Sequence, residues 1–259
     1  MKLFNNRKLK KELKVSIILP NYNSSKTIVD TINSILLQTY KNWELIIVDD
    51  CSDKKTKNIL SKYKNIKKIK IFYLKKNKGT AYCRNLAIKK SKSYYLAFID
   101  SDDTWEKNKL KLQIHFMQKN NYFFTYTNYT TFKINDPIKK KILVPNKFNF
   151  NTFVKNTSIA TSTMIVKKSI TKKIKFSDTK ICEDYFYKCQ LLKLIGNAYC
   201  YPKYLTEYQI RKNSLQSNRI RNIYWIWKIN RNLNHFNFMK NLISIFLISI
   251  NSFKKYGLR

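Results

Sequence analysis

The chain carries the run LIIVDD at residues 45–50 and the run LAFIDSDD at residues 96–103. In each run, apolar strand-forming residues lead directly into a group of carboxylates. A short continuous apolar run of this kind indicates a strand buried on both faces of a parallel sheet. The chain has only 15 Asp or Glu residues against 52 Lys or Arg residues. Carboxylates gathered at two strand ends of so basic a chain predict a ligand site, and holding a divalent metal against a nucleotide diphosphate is the leading role.

The segments around these two runs alternate between strand and helix. Apolar runs predict strands at residues 15–19, 44–48, 69–74 and 94–99, and helical patterns predict helices at 28–36, 53–63 and 80–90. This alternation predicts an α/β fold with a doubly wound, mostly parallel sheet. Such sheets bind ligands at the carboxyl ends of their strands, where the loops at 20–23, 49–51 and 100–103 all fall.

The second half of the chain is less regular. We expect strands at residues 122–127 and 161–166, a long polar loop at 133–151 and a helix at 183–195. Asp103 or Thr104 would cap a helix that carries Leu110, Ile114 and Met117 on one face. Beyond residue 213 the chain is basic and helical, and it carries two apolar stripes.

Composition limits the class of protein. A length of 259 residues with 44% hydrophobic residues suffices for one good-sized core. The five cysteines are odd in number and form no CxxC pair, so they favour a reducing compartment over a disulfide framework or a zinc site.

The formal net charge of +37 invites a nucleic-acid interpretation. The basic residues are spread along the whole chain, however, so we expect no nucleic-acid partner. Phosphorylated ligands and anionic lipid surfaces would still be attracted. No apolar leader precedes the first strand, and the longest apolar-rich stretch, 242–250, is too short to span a membrane. We therefore expect a cytoplasmic protein that is either soluble or peripheral on the inner face of the membrane.

Five motifs occur in a consistent order between residues 14 and 200. They are VSIILPNYN at 15–23, IVDDCS at 47–52, NKG at 77–79 with Arg84-Asn85, DSDD at 100–103, and Glu183-Asp184. Together they resemble the signature of family 2 glycosyltransferases, which have the GT-A fold. Cys83 stands where these enzymes usually have Ala before the Arg-Asn pair, and both side chains are small.

The resemblance implies a hexosyltransferase-type enzyme that uses a nucleotide-sugar donor and inverts the anomeric carbon. Pro20 and Tyr22 would line the nucleoside pocket, with the Tyr22 ring against the base. Asp50 would accept a hydrogen bond from the base, which favours uracil and hence a UDP-sugar, because the uracil ring N–H is a donor. Asp49 would support that loop. Arg84 would hold the nucleotide end, with a salt bridge on the helix surface as the rival interpretation.

The resemblance also implies a metal cofactor, Mn²⁺ or Mg²⁺. Asp102 would ligate the metal, and Asp100 would reach the ribose and serve as the second candidate ligand. A hard cation held by one or two carboxylates and by phosphate oxygens neutralises the charge of the departing nucleotide diphosphate. Asp103 would either support these ligands or cap the next helix.

A general base must take the proton of the acceptor hydroxyl as it attacks. Asp184 is the candidate base, and Glu183 is the alternative and the better candidate for orienting the acceptor. Taken alone, this pair could simply begin a helix, where carboxylates favour the dipole. Its position downstream of the other motifs favours the catalytic interpretation.

We predict three segments: a basic N-terminal segment at 1–13, a GT-A catalytic domain at 14–212, and a basic amphipathic helical tail at 213–259. The stretch YQIRKNS at 208–214 resembles one that follows the catalytic domain in bacterial relatives that build cell-surface polymers. Arg211 would contact a diphosphate there, or belong to an exposed basic loop. The tail would either lie on an anionic membrane surface or pack on the catalytic domain.

The predicted acceptor is a hydroxyl of a bacterial surface glycan or of a lipid-linked saccharide. A sugar nucleotidyltransferase is one alternative, although such enzymes usually begin with a Gly-rich basic phosphate loop that PNYN at 20–23 does not resemble. A non-enzymatic nucleic-acid-binding protein is another, and it leaves the carboxylates unexplained. A glycosidase would need neither metal nor nucleotide.

Overall fold

The structure, a computed structural model, describes residues 13–133, 136–179, 181–211 and 218–256. Its strands are β1 (Val15–Asn21), β2 (Trp43–Asp49), β3 (Ile69–Tyr73), β4 (Tyr95–Phe98), β5 (Thr104–Trp105), β6 (Phe124–Lys133), β7 (Asp136–Ile142), β8 (Lys147–Asn149), β9 (Ile165–Lys167) and β10 (Asn197–Gln209). Its helices are α1 (Ile28–Leu36), α2 (Lys54–Ser61), α3 (Thr80–Lys90), α4 (Lys109–Lys119), α5 (Phe150–Phe153), α6 (Glu183–Ile195), α7 (Arg219–Asn232) and α8 (Phe238–Tyr256). Of the predicted N-terminal segment only Leu13 is described, and the predicted boundary at residue 213 also lies outside the described residues.

One mixed sheet runs through the described part of the chain. Its order is β3-β2-β1-β4-β9-β6-β10-β5, with β7 paired to β6 and β8 paired to β10. The strands β3, β2, β1 and β4 are mutually parallel, and β9 is antiparallel to both β4 and β6. The carboxyl ends of β1, β2 and β4 therefore meet at one edge, as the sequence predicts.

Helices cover both faces of this sheet. On one face α1, α2 and α4 pack against the side chains of Ile17 and Ile47, which are fully buried. On the other face α3 and α6 pack against Ile46 and Phe98, also fully buried. Complete burial of an aliphatic or aromatic side chain contributes about 1.5–3 kcal/mol, so the unbroken apolar runs of the strands account for the double winding.

The prediction of a long polar loop at 133–151 is wrong. Residues Asp136–Ile142 form β7 against β6, and Lys147–Asn149 form β8 against β10. The lysines at 139–141 are exposed, so this strand lies at the sheet margin and has no apolar alternation to reveal it.

Two further boundaries differ from the sequence prediction. Asp103 and Thr104 do not cap the next helix, because α4 begins at Lys109 after Asn108 and Thr104 belongs to the short strand β5. The predicted strand at 161–166 is a 3₁₀ turn at Thr161–Thr163 followed by β9.

The C-terminal helices pack on the α/β part through α6 and the segment after α5. Asn230 of α7 accepts a hydrogen bond from the Tyr185 hydroxyl at 2.7 Å and donates to Asn241 and Ser244 of α8. The Ser244 hydroxyl donates to the carbonyl of Val154 at 2.6 Å. Among the described residues, no helix has the length and apolar content needed to cross a membrane.

Candidate active site

The loops after β1 and β2 are joined by buried hydrogen bonds. Asn21 donates through Nδ2 to Asp49 Oδ1 at 2.7 Å, and Ser52 donates its backbone N–H to Asp49 Oδ2 at 3.1 Å. Asp49 is fully buried, so it holds the two loops together. Beside it, Pro20 is buried within β1, while the Tyr22 ring is 53% exposed. Pro20 and Tyr22 are both predicted to line a nucleoside pocket, and of the two only the Tyr22 side chain is exposed enough to contact a base.

Asp50 fixes the turn that leads into α3. Its Oδ1 accepts the backbone N–H of Lys78 at 2.7 Å, and its Oδ2 accepts that of Gly79 at 2.8 Å. Gly79 has a φ of 86°, which disfavours any residue with a Cβ. Hydrogen bonds of Asp50 thus join the IVDD motif at the end of β2 to the NKG motif before α3.

Arg84 is buried between two carboxylates from distant parts of the chain. Its guanidinium donates to Asp100 Oδ1 at 2.6 Å and to Glu183 Oε1 at 2.7 Å. Burial alone would lower the pKa of Arg84, but Asp100 and Glu183 raise it above its usual value. One charged guanidinium therefore joins the end of β4 to the first turn of α6.

Asp100 and Asp102 lie on the loop after β4, with side chains 31% and 23% exposed. Asp102 Oδ2 accepts a hydrogen bond from Arg211 Nε at 2.8 Å, and Arg211 also donates to the Thr27 hydroxyl at 3.1 Å. Burial and the neighbouring Asp100 raise the pKa of Asp102 to about 6.

This donor set fits a divalent cation. Among the described residues, no three His, Cys, Asp or Glu side chains form a metal cluster. Magnesium, however, is commonly bound by one or two carboxylates together with substrate phosphates. Asp100 and Asp102 are partly exposed carboxylates on one loop, each paired with an arginine, and they would supply the one or two protein ligands of such a cation.

Asp103 faces inward and links three parts of the fold. It accepts hydrogen bonds from the Ser162 hydroxyl and from the backbone N–H of Gln209, the latter at 2.9 Å. Burial and the nearby Asp102 and Asp100 raise its pKa well above the usual value. Of its two predicted roles, support for the loop agrees with these contacts.

Glu183 and Asp184 form the first turn of α6. Asp184 Oδ2 accepts hydrogen bonds from Lys188 Nζ at 2.6 Å and from the Thr161 hydroxyl at 2.9 Å. Burial alone would raise the pKa of Asp184, but Lys188 and Arg84 hold it well below its usual range. Burial and the adjacent Asp184 raise the pKa of Glu183, against the opposing effect of Arg84.

Sequence reasoning missed Lys188 and Thr161. Lys188 lies four residues after Asp184, a spacing at which side chains meet on a helix, so the pair could have been found. Thr161 comes from the 3₁₀ turn before β9, and nothing in its sequence neighbourhood indicates this contact.

Comparison with known proteins decides the family. Residues 16–175 match the family model described as glycosyl transferase family 2. The chain is 35% identical over 243 residues to the putative teichuronic acid biosynthesis glycosyltransferase TuaG of Bacillus subtilis, covering 93% of this chain and 96% of the relative. The chain belongs to glycosyltransferase family 2. The family 2 assignment excludes the nucleotidyltransferase and the non-enzymatic protein that the sequence alone left open.

A second relative of this family 2 glycosyltransferase comes from Escherichia coli. It is the UDP-Glc:alpha-D-GlcNAc-diphosphoundecaprenol beta-1,3-glucosyltransferase WfgD, 34% identical over 216 residues, with 83% of this chain and 84% of the relative covered. Among solved structures, residues 1–349 of S. aureus TarS in complex with UDP-GlcNAc superpose with a TM-score of 0.73 at 21% identity, covering 93% of this chain and 73% of that one. The family 2 glycosyltransferase therefore has the GT-A fold, with additional C-terminal helices.

Proposed function

We propose that this enzyme transfers a sugar from a UDP-sugar to a hydroxyl of a bacterial surface glycan or lipid-linked saccharide, inverting the anomeric carbon. The observation that carries the proposal is the double ion pair of Arg84 with Asp100 and Glu183. Arg84 thereby holds Asp100, which we expect to bind the donor, close to Glu183, which we expect to orient the acceptor.

The donor assignment rests on the loops and on the relatives. Tyr22 would stack on the base, next to Pro20. Asp50 is 3% exposed, and its two oxygens accept the backbone N–H groups of Lys78 and Gly79; we assign it the further role of accepting the N–H of uracil through a remaining lone pair. The name of WfgD specifies UDP-glucose and a diphosphoundecaprenol-linked acceptor, and TarS was solved with UDP-GlcNAc. Both names favour a UDP-sugar, and that of WfgD favours a lipid-linked acceptor.

Asp102 and Asp100 would hold Mn²⁺ or Mg²⁺, and a mannosyltransferase of the same fold was solved with GDP-Man and Mn²⁺. Such a cation supplies positive charge against the departing diphosphate. Arg211 now neutralises Asp102, and we expect it to turn to the diphosphate when the donor binds. Arg84 is buried, so we assign it the role of setting the position of Asp100 rather than of touching the nucleotide.

We assign the role of general base to Asp184. Its carboxylate would accept the proton of the acceptor hydroxyl as the oxygen bonds to the anomeric carbon and the sugar–phosphate bond breaks. Glu183 would orient the acceptor. We place this reaction on the cytoplasmic side, since the cysteine pattern of the sequence favours a reducing compartment.

The test is calorimetric binding of UDP and of GDP, each with Mn²⁺ and again with EDTA. We expect UDP to bind in a metal-dependent way and more tightly than GDP. Asp102→Ala should weaken UDP binding in Mn²⁺ by about tenfold or more, since it removes a ligand of the cation. As a matched control, Asp136→Ala removes a partly exposed carboxylate from β7 and should bind UDP like the wild type. Metal-independent binding of UDP would contradict the assignment of Asp102.

A further inference from the structure

Helix α8 turns a row of polar side chains towards the protein, beside the buried side chain of Ile248. Asn241 and Ser244 are 0% and 2% exposed, and they donate to the carbonyls of Trp227 and Val154. Further along the helix, Asn251 donates to the carbonyl of Lys155 at 3.0 Å, and Lys255 donates to that of Asn156 at 3.2 Å. The usual surface helix buries its apolar side and leaves its polar side in water. Here polar side chains make much of the inward contact.

The outward side of α8 is apolar. Six of its side chains are between 46% and 63% exposed: Phe238, Met239, Leu242, Ile243, Phe246 and Phe253. Residues 238, 242 and 246 follow one another at a spacing of four, so they form a continuous stripe along the helix. We call these six residues the α8 face. The side chain of Tyr224, on α7, is a further 54% exposed.

A contiguous apolar stripe on a water-facing helix marks an interaction site. The chemistry around the α8 face indicates what binds there. After Glu207 the chain has ten Lys or Arg residues and no Asp or Glu. Lys240 lies within 4.3 Å of the Phe236 ring centroid, and Lys254 is exposed near the end of the helix. An apolar stripe in a C-terminal segment whose charged residues are all cations matches a surface of acyl chains under anionic headgroups.

We infer that the α8 face inserts into the headgroup region of an anionic membrane, with α8 lying in the plane of the bilayer. A helix of 19 residues is about 28 Å long in this position. The polar network beneath it keeps the helix attached to the protein while its apolar side enters the lipid.

The attachment leads directly to the candidate base. Tyr185, which follows Asp184, donates to Asn230, and Asn230 in turn holds α8 through Asn241. If α8 lies in the bilayer, this connection would fix the distance between α6 and the membrane surface. The sugar of a lipid-linked acceptor would be presented at about that distance. This last point rests on the proposed function, whereas the binding to lipid does not.

The test is sedimentation of the full-length protein with vesicles of phosphatidylglycerol or of phosphatidylcholine. The double variant Leu242→Ser/Phe246→Ser removes apolar surface without changing the charge. The control Leu143→Ser/Leu194→Ser removes two side chains that are 73% and 61% exposed elsewhere on the surface. At about 0.5 M salt, where charge attraction is screened, the wild type and the control should remain bound to phosphatidylglycerol. The Leu242→Ser/Phe246→Ser variant should partition about tenfold less.

Equal binding of both double variants at this salt concentration would mean that the α8 face does not contact the lipid, and it would overturn the inference. Failure of the wild type to bind phosphatidylglycerol vesicles would do the same, and so would equal binding to phosphatidylcholine vesicles at low salt, which would remove the anionic headgroups from the inference. Light scattering without vesicles tests a third outcome. If the wild type and the control are dimers and the Leu242→Ser/Phe246→Ser variant is a monomer, the α8 face binds a second copy of the chain, and the inference is overturned. Calorimetry with UDP on the same variants separates this inference from the proposed function, because a protein that binds lipid but no UDP refutes only the latter.

Discussion

At the residue scale, the hydrogen bonds of Asp184 indicate which of its two carboxylate oxygens is available to the acceptor. Both hydrogen bonds that the described residues donate to it reach Oδ2, from Thr161 and Lys188. No described residue donates to Oδ1, and the side chain is 16% exposed. We therefore expect Oδ1 to be the oxygen that receives the acceptor proton.

Replacing Asp184 by Asn should reduce turnover by about 100-fold or more and leave UDP binding within about twofold, since a general base acts on the acceptor rather than on the donor. Steady-state kinetics with a UDP-sugar and calorimetry with UDP would measure the two effects. Glu183→Gln is the matched comparison. If it abolishes turnover while Asp184→Asn does not, Glu183 is the base.

Lys188→Met should move the acid limb of the pH–rate profile to higher pH. In the wild type Lys188 and Arg84 outweigh burial and hold the pKa of Asp184 low, so the carboxylate stays ionised far below neutrality. Without the ammonium, burial raises that pKa, and protonation then removes the base at a higher pH. Lys193→Met, on the same helix, is the control. A profile unchanged in Lys188→Met would count against a base at residue 184.

The sequence predicts which carboxylates gather at this edge but not how they are held. Asp100 and Asp102 follow a buried strand, and parallel strands bring their carboxyl ends to one edge whatever the side-chain contacts. The junction of Arg84 with Glu183 depends instead on how α6 packs against α3, over a separation of 99 residues. Periodicity carries no information about that packing.

At the element scale, Glu44 ties together the amino ends of three strands. It accepts hydrogen bonds from Ser16 at 2.7 Å and from Lys70 at 2.8 Å, and its side chain is 3% exposed. Burial alone would raise the pKa of Glu44, but the hydrogen bonds it accepts, led by that of Lys70, lower it to about 2.

Glu44→Gln should therefore reduce the free energy of unfolding at pH 7 by about 3 kcal/mol. Since the pKa is depressed on folding, the stabilisation is complete above the unfolded value of 4.5 and is lost as the pH falls towards 2. Urea titrations at several pH values should show the difference from the wild type shrinking over that window. A difference that does not depend on pH would rule out the ionised carboxylate as its source.

Helices were the most predictable elements. The predictions for α3 and α6 agree with the structure at both ends, at Thr80–Lys90 and Glu183–Ile195. Gly79 and Gly196 flank them, both with positive φ, and glycine is the residue that marks such ends. The marginal strand β7 was missed because its lysines face water and its pairing with β6 is decided by tertiary contacts.

At the scale of the whole molecule, Asn230 holds the C-terminal helices on the catalytic part. It is fully buried and hydrogen-bonded to Tyr185, Asn234, Asn241 and Ser244. Asn230→Ala would leave several buried polar groups without a partner, which costs about 2–4 kcal/mol in free energy of unfolding.

Urea unfolding followed by circular dichroism measures that loss. Asn251→Ala is the control, because Asn251 is only partly buried and should cost less than about 1 kcal/mol. If the two variants are equally stable, the hydrogen bonds of Asn230 do not contribute to holding α7 and α8 on the rest of the protein.

The double ion pair of Arg84 also constrains how this enzyme can evolve. Lysine cannot replace Arg84, since one ammonium lacks the planar fork that reaches Asp100 and Glu183 together. Loss of Arg84 would leave Asp100 and Glu183 without their shared cation, and loss of either carboxylate would remove one of the two partners of Arg84, so we expect single substitutions at the three positions to be disfavoured. In an alignment of relatives we expect these positions to be retained together or exchanged together. Changes of donor or acceptor preference should therefore accumulate in the surrounding loops while this trio stays fixed.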